Sequence, residues 1–177
     1  MTSSSTPAPE PVPGSADATT WYGSAPEDRR PEGAAQQAWR AYFESTQMLS
    51  ELLERGLKRD AGLSLADYNL LLLLYESPDG RLRLGELAGR MVFSPSRMTY
   101  QVKSLVARGL IERHPAERDR RGFEAVITDE GRRAFRRAAV HHAREIDDLF
   151  LSALEPGEAE TLGRVFSRLG HRLEGRC

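Results

Sequence analysis

One cysteine, Cys177 at the last position, is all that this 177-residue chain contains. That excludes an intrachain disulfide and a cysteine-built metal cluster, and it suits a reducing compartment. Long apolar runs are also missing. The longest, Leu70 to Tyr75, is far short of the roughly 20 residues a membrane helix needs. No basic start is followed by an apolar stretch, so no secretory leader is expected and the expected place of action is the cytoplasm. Lysine is scarce: only Lys58 and Lys103 accompany the arginines, which reads as the codon bias of a GC-rich genome more than as chemistry. The signals of an enzyme are absent too. There is no paired nucleophile and base, no glycine-rich phosphate loop and no metal-ligand spacing. His141 and His142 are adjacent, so on a helix they face different ways, and no metal or other cofactor is expected.

The net charge of −1 gives no hint of a partner, but its distribution does. From Arg81 to Arg121 there are ten Lys/Arg and four Asp/Glu, a local balance of +6; the rest of the chain carries −7. A basic segment on an acidic body is the electrostatic footprint of a nucleic-acid-facing surface, although a solvated charged hairpin has the same composition.

The chain is long enough for one domain with a core of its own. Residues 1–33, rich in Pro, Ser, Ala, Thr and Glu, are expected to form a disordered tail. Within it Trp21 and Tyr22 read either as a docking pair or as incidental aromatics. Ala35, Trp39, Tyr42, Thr46, Leu49, Leu53 and Leu57 recur at three- and four-residue steps and predict an amphipathic helix over 34–59. Ser64 and Asp67 have capping-box spacing and open a buried helix over 65–76, which the turn Ser77-Pro78-Asp79-Gly80 ends. A short strand, Arg81–Arg83, and a compact helix, Leu84–Met91, follow. Ser94-Pro95 starts a helix that Gly109 stops. Two strands flank a charged tip read as Pro115–Gly122. Thr128-Asp129-Glu130 opens a helix expected to run to about Ala153, and Glu155-Pro156 starts the last one, with Leu162, Phe166, Leu169 and Leu173 at heptad-like spacing. The fold class expected is mainly α with a small β-wing: a winged helix-turn-helix.

On the helix after Pro95, Met98, Val102 and Leu105 form the inward face. The opposite face and its edges carry Ser96, Arg97, Thr99, Tyr100, Gln101 and Lys103. Side chains near the start of a recognition helix reach base edges. Arg97 suits guanine, Gln101 suits adenine and the Thr99 methyl suits thymine. Tyr100 and Lys103 suit phosphates, as do the free N–H groups near Ser94 and Ser96. In the hairpin, Arg121 is read as the side chain entering a narrow minor groove, Asp119 as the carboxylate orienting it, and Arg113, Arg118 and Arg120 as phosphate or pairing residues.

Several segments together resemble the MarR family of bacterial transcription regulators. They are Gly62-Leu63-Ser64, Leu84-Gly85-Glu86-Leu87-Ala88, Ser94-Pro95-Ser96-Arg97-Met98-Thr99, Leu105 through Arg113, Asp119-Arg120-Arg121, and Ile127-Thr128-Asp129-Glu130-Gly131. The resemblance covers about residues 34–175. It implies a homodimer on double-stranded DNA, with residues 34–62 and 129–177 as a helical dimerisation domain and 63–128 as the winged DNA-binding domain. A repressor at a pseudo-palindromic operator is the implied activity, with a small-molecule effector as a possible partner. Trp39, Tyr42, Tyr68, Leu72 and His142 are candidates to line an effector pocket, and the same residues serve equally well as core. A reactive-thiol sensor is not expected, because the first helices hold no cysteine. The alternative reading is a winged-helix module that binds an acidic protein and no DNA.

Overall fold

The computed structural model describes residues 33–116 and 119–174, with the backbone alone at 119–121. The chain divides into two compact units, residues 1–44 and 45–177, and the boundary falls within the first helix. Six helices are described: α1 (Ala34–Ala61), α2 (Leu65–Glu76), α3 (Leu84–Met91), α4 (Pro95–Ala107), α5 (Asp129–Leu149) and α6 (Glu158–Leu173). Three strands, β1 (Arg81–Arg83), β2 (Ile111–Ala116) and β3 (Asp119–Ile127), form one antiparallel sheet in the order β1-β3-β2. This is the mainly helical winged fold that the sequence pattern predicts.

The core of residues 45–177 is built around α2. Leu70, Leu71 and Leu74 are fully buried and meet Leu87 of α3, Met98, Val102 and Leu105 of α4, Ile111 and Ala125 of the sheet, and Phe135 of α5. A helix apolar on nearly all sides belongs inside. Its start is fixed by the capping box: Asp67 N–H donates to Ser64 Oγ (3.0 Å) and Ser64 N–H donates to Asp67 Oδ2 (2.9 Å).

Two helix ends set the helix-turn-helix geometry. Gly109, at φ 69°, ends α4 in a Schellman motif: Leu110 N–H donates to Leu105 O (3.0 Å) and Gly109 N–H to Val106 O (2.9 Å). α3 ends the same way, with Phe93 N–H on Ala88 O (2.9 Å) and Val92 N–H on Gly89 O (3.2 Å). Here the left-handed position is taken by Val92, at φ 52°. A β-branched residue there is strained by about 1–2 kcal/mol. Val92 is exposed and packs little. Val92→Gly is therefore expected to stabilise the protein by about 1 kcal/mol, partly offset by the entropy glycine loses on folding; a urea titration reads it.

The structure departs from the sequence pattern in two places. The hairpin strands reach Ala116 and resume at Asp119, so the expected eight-residue tip is mostly strand. Pro115 is tolerated inside β2 because β2 is an edge strand, and the register shifts between Pro115 and Ala116. In addition, α5 stops at Leu149, and Leu151–Ala153 form a separate 3₁₀ turn. The Ser152 hydroxyl there donates to Asp148 O (2.8 Å), taking a last-turn carbonyl. Gly157, at φ 88°, then caps α6, which begins two residues after Pro156.

Candidate nucleic-acid interface

Ser94 holds the start of α4. Its hydroxyl accepts from Arg97 N–H (3.3 Å) and lies 3.1 Å from Ser96 Oγ. Pro95 occupies the first helical position, where the missing N–H costs nothing. Ser94, Ser96, Arg97, Thr99, Tyr100 and Lys103 are all exposed, Tyr100 to 75%. Ser96, Thr99, Tyr100 and Lys103 share one shallow, open depression with Pro95. The Thr99 hydroxyl donates back to Pro95 O (2.8 Å), so it is committed to its own helix.

Gln101 is the exception. Its side chain is half-buried and its amide donates to Asp67 Oδ1 of α2. The expected adenine-reading role is corrected accordingly: the amide is spent on a buried carboxylate and does not face outward. Asp67 is 5% exposed and also accepts from Arg108 Nη1 (2.9 Å). Arg108 Nη2 in turn donates to Gly62 O (2.8 Å).

Two of the arginines are held on aromatic rings. The Arg97 guanidinium lies 3.8 Å from the centroid of Phe93, and that of Arg113 lies 3.4 Å from the centroid of Phe123. Stacking leaves the edge of a guanidinium available for hydrogen bonds while fixing its plane. Sequence reasoning missed Phe93 and Phe123. Their signal was faint: an aromatic four residues before Arg97, and one on the strand facing Arg113. Among the described residues no carboxylate pairs with Arg97, Lys103 or Arg113. On the other face of the sheet partners are present: His114 Nε2 lies 2.8 Å from Glu112 Oε2, and Arg81 pairs with Glu124 (3.9 Å). The side chains of Asp119, Arg120 and Arg121 lie outside the described residues, as do Arg118 and the tail with Trp21 and Tyr22.

The expected pocket residues fall in both units. Trp39 and Tyr42 belong to the 1–44 unit, where Trp39 packs on Tyr42 and on Phe43 at 5.9 Å each and stays half-exposed. Tyr68 and His142 are core residues stacked on each other (4.4 Å), with Phe135 against Tyr68 (5.3 Å). Leu72 lines a cleft of about 630 Å³ shared with Glu51, Glu54, Asn69, Met91, Phe93 and Arg97 among others. The reason is helical phase: Tyr68 sits on the face of α2 that packs against α5, and Leu65, Asn69, Leu72 and Leu73 turn to the cleft.

His142 has a measurable consequence. Burial pushes its pKa below the ordinary 6.5, with the Glu145 carboxylate only partly opposing, and its Nδ1 has no hydrogen-bond partner among the described residues. The folded protein therefore holds the ring neutral. Above pH 6.5 both folded and unfolded chains are neutral there and stability is full. As the pH falls from 6.5 toward the lower folded value, the unfolded chain binds the proton first and stability is lost. Urea titrations at pH 7.5 and about pH 5 are expected to show that loss in the wild type and a smaller one in His142→Phe, above the range where carboxylates titrate.

Helices α3 and α4 joined by a tight turn and followed by the β2–β3 hairpin define a winged helix-turn-helix protein. Comparison with known proteins is specific. The family profile described as MarR family matches residues 61–122. The structure of AbsC, a MarR family transcriptional regulator from Streptomyces coelicolor, is 32% identical with a TM-score of 0.79, covering 83% of this chain and 99% of AbsC. Sco3205, a MarR family transcriptional regulator from the same organism solved in complex with DNA, is 34% identical with a TM-score of 0.80, covering 82% of this chain and 92% of its own. The HTH-type transcriptional regulator MhqR of Bacillus subtilis is 29% identical over 109 residues, 62% of this chain and 73% of MhqR. The chain belongs to the MarR family of transcriptional regulators.

Proposed function

We propose that this protein is a sequence-specific DNA-binding transcriptional regulator that represses by binding a pseudo-palindromic operator as a homodimer. Helix α4 enters the major groove and the wing approaches the adjacent minor groove, with Arg121 inserted and Asp119 orienting it. Residues 63–128 bind DNA, and 34–62 with 129–177 dimerise. The observation that carries this reading is the set of exposed cations Arg97, Lys103 and Arg113, which pair with no carboxylate among the described residues and two of which are fixed on rings. Sco3205, similar over most of the chain, was solved with DNA. The cleft supports an effector role, because Arg97 lines it as well as the outer face of α4. A small molecule that engages Arg97 there competes with its use on DNA.

The test is fluorescence anisotropy with duplexes from around the protein's own gene, titrated with salt. Through Z phosphates the log–log slope is expected to be about −0.9Z. Arg97→Ala is expected to cost about 1–3 kcal/mol on the specific site and little on random duplex. Equal loss on both moves Arg97 to the phosphate contacts. No binding at low salt favours the protein-interaction alternative.

A further inference from the structure

Asp67 is a buried carboxylate at the start of α2, and its bonds go well beyond capping. Its Oδ2 accepts from Ser64 N–H and Arg108 Nη1, both at 2.9 Å, and its Oδ1 accepts from Gln101. Gln101 is in the middle of α4 and Arg108 is its C-cap, so one helix is held at two points seven residues apart. Arg108 also donates to Gly62 O, in the link between α1 and α2. Gly62 itself sits at φ 64°. Polar bonds from one helix thus converge where α1 ends and α2 begins.

Apolar packing resists separation of two helices but leaves rotation and sliding cheap. Directional bonds from both ends of a helix segment remove that freedom. The helix so fixed is the one that carries Arg97, Thr99, Tyr100 and Lys103 outward. A node of this kind adds less to folding than to geometry, because Gln101 and Arg108 keep partial access to water when unpaired.

We propose that Asp67, Gln101 and Arg108 form a positioning node that sets the angle of α4 relative to the α1–α2 junction. Gln101 thereby supports operator recognition from behind the helix and touches no base. The inference rests on the DNA-binding reading above. If α1 belongs to the dimerisation domain, the same node fixes the distance between the two recognition helices of a dimer, and hence the spacing of half-sites the protein accepts.

The experiment uses the full chain and a duplex that the wild type recovers from a random pool, together with its single-base variants and a version with one base pair inserted between half-sites. The variants are Gln101→Met, Asp67→Ala and the double. Gln101→Met keeps length and helix propensity but leaves Asp67 Oδ1 without its donor, so its melting temperature is expected to fall by a few degrees while the fold is kept. Its affinity is expected to fall about three- to tenfold, the worth of one hydrogen bond, by the same factor on every single-base variant. The penalty for the inserted base pair is expected to shrink. In the Asp67→Ala background, Gln101→Met is expected to add less than about a twofold loss. Asp67→Asn replaces Asp67→Ala if the latter does not fold, since it retains an acceptor for Ser64. A loss confined to one base pair that persists in the Asp67 background overturns the proposal, because Gln101 then reads a base. Unchanged affinity and spacing preference in Gln101→Met also overturns it. A wild type that recovers no duplex takes the proposal down through the DNA-binding reading, whereas additive losses on a duplex that is bound take down the node alone.

Discussion

Leu169→Glu is expected to split the protein into monomers and to remove tight operator binding. No residue of α6 is buried, yet Val165, Phe166, Leu169 and Leu173 lie along it, each about two-fifths exposed. Leu149, Phe150 and Leu151, before it, are exposed to a similar degree. A 16-residue helix in water is marginal without tertiary packing, so an ordered α6 argues for a covering surface. In the proposed homodimer a second copy of the chain supplies one through two-fold symmetry, in which each change counts twice. Covering the part of Leu169 still exposed contributes about 1 kcal/mol, and a glutamate in its place adds a desolvation penalty of at least about as much again. Two copies amount to at least about 4 kcal/mol, roughly a thousandfold in the dimer dissociation constant. Each monomer then holds one half-site, and affinity for the full operator drops by about 10²–10⁴ as the second contact ceases to be intramolecular. Sedimentation equilibrium reads the first effect and anisotropy the second. Circular dichroism controls for helix content. A variant that remains dimeric at micromolar concentration places the subunit contact elsewhere.

Gly131→Ala is expected to destabilise the fold by about 3 kcal/mol, against the direction helix propensity predicts. Propensity alone favours alanine over glycine by about 1 kcal/mol inside a helix. At Gly131, however, an added Cβ would lie 2.0 Å from the Leu110 carbonyl oxygen and 2.9 Å from Ile127 Cγ1. The oxygen is backbone and cannot swing aside. It accepts from Thr128 N–H (3.1 Å), and the Thr128 hydroxyl, which caps α5 by accepting from Gly131 N–H (3.0 Å), donates to the neighbouring Gly109 O (2.8 Å). The Schellman turn of α4, the first turn of α5 and the exit of β3 meet at that point. Relief therefore requires α5 to move off the end of α4. The melting temperature is expected to fall by roughly 6–12 °C. A rise would show that propensity prevails and that the joint is looser than the distances imply.

Local rules made much of this architecture readable in advance. Ser64 with Asp67, Ser94 with Pro95, Gly109 and Thr128 each mark a helix end through bonds that reach only a few residues, and each stands where its spacing puts it. The apolar phase of α4 likewise identifies Met98, Val102 and Leu105 as the inward side. What periodicity could not resolve was the edge between faces. Gln101 falls on that edge, and its direction is decided by Asp67, 34 residues earlier in the chain. Periodicity likewise could not say what each part of α2 would meet: Tyr68 packs on Phe135 of α5, whereas Leu72 lines a cleft, and both are tertiary facts. Phe93 and Phe123 escaped notice because an aromatic beneath an arginine has no spacing rule of its own.

The outer rim of β2 is an unpaired strand edge, the kind of backbone that recruits other strands. Here Pro115 withholds one of the rim's donors, the kink next to it spoils the register, and Glu112 and Arg113 place charge along it. An exposed hairpin edge is thereby kept from templating fibrils with its neighbours, even where many copies crowd together.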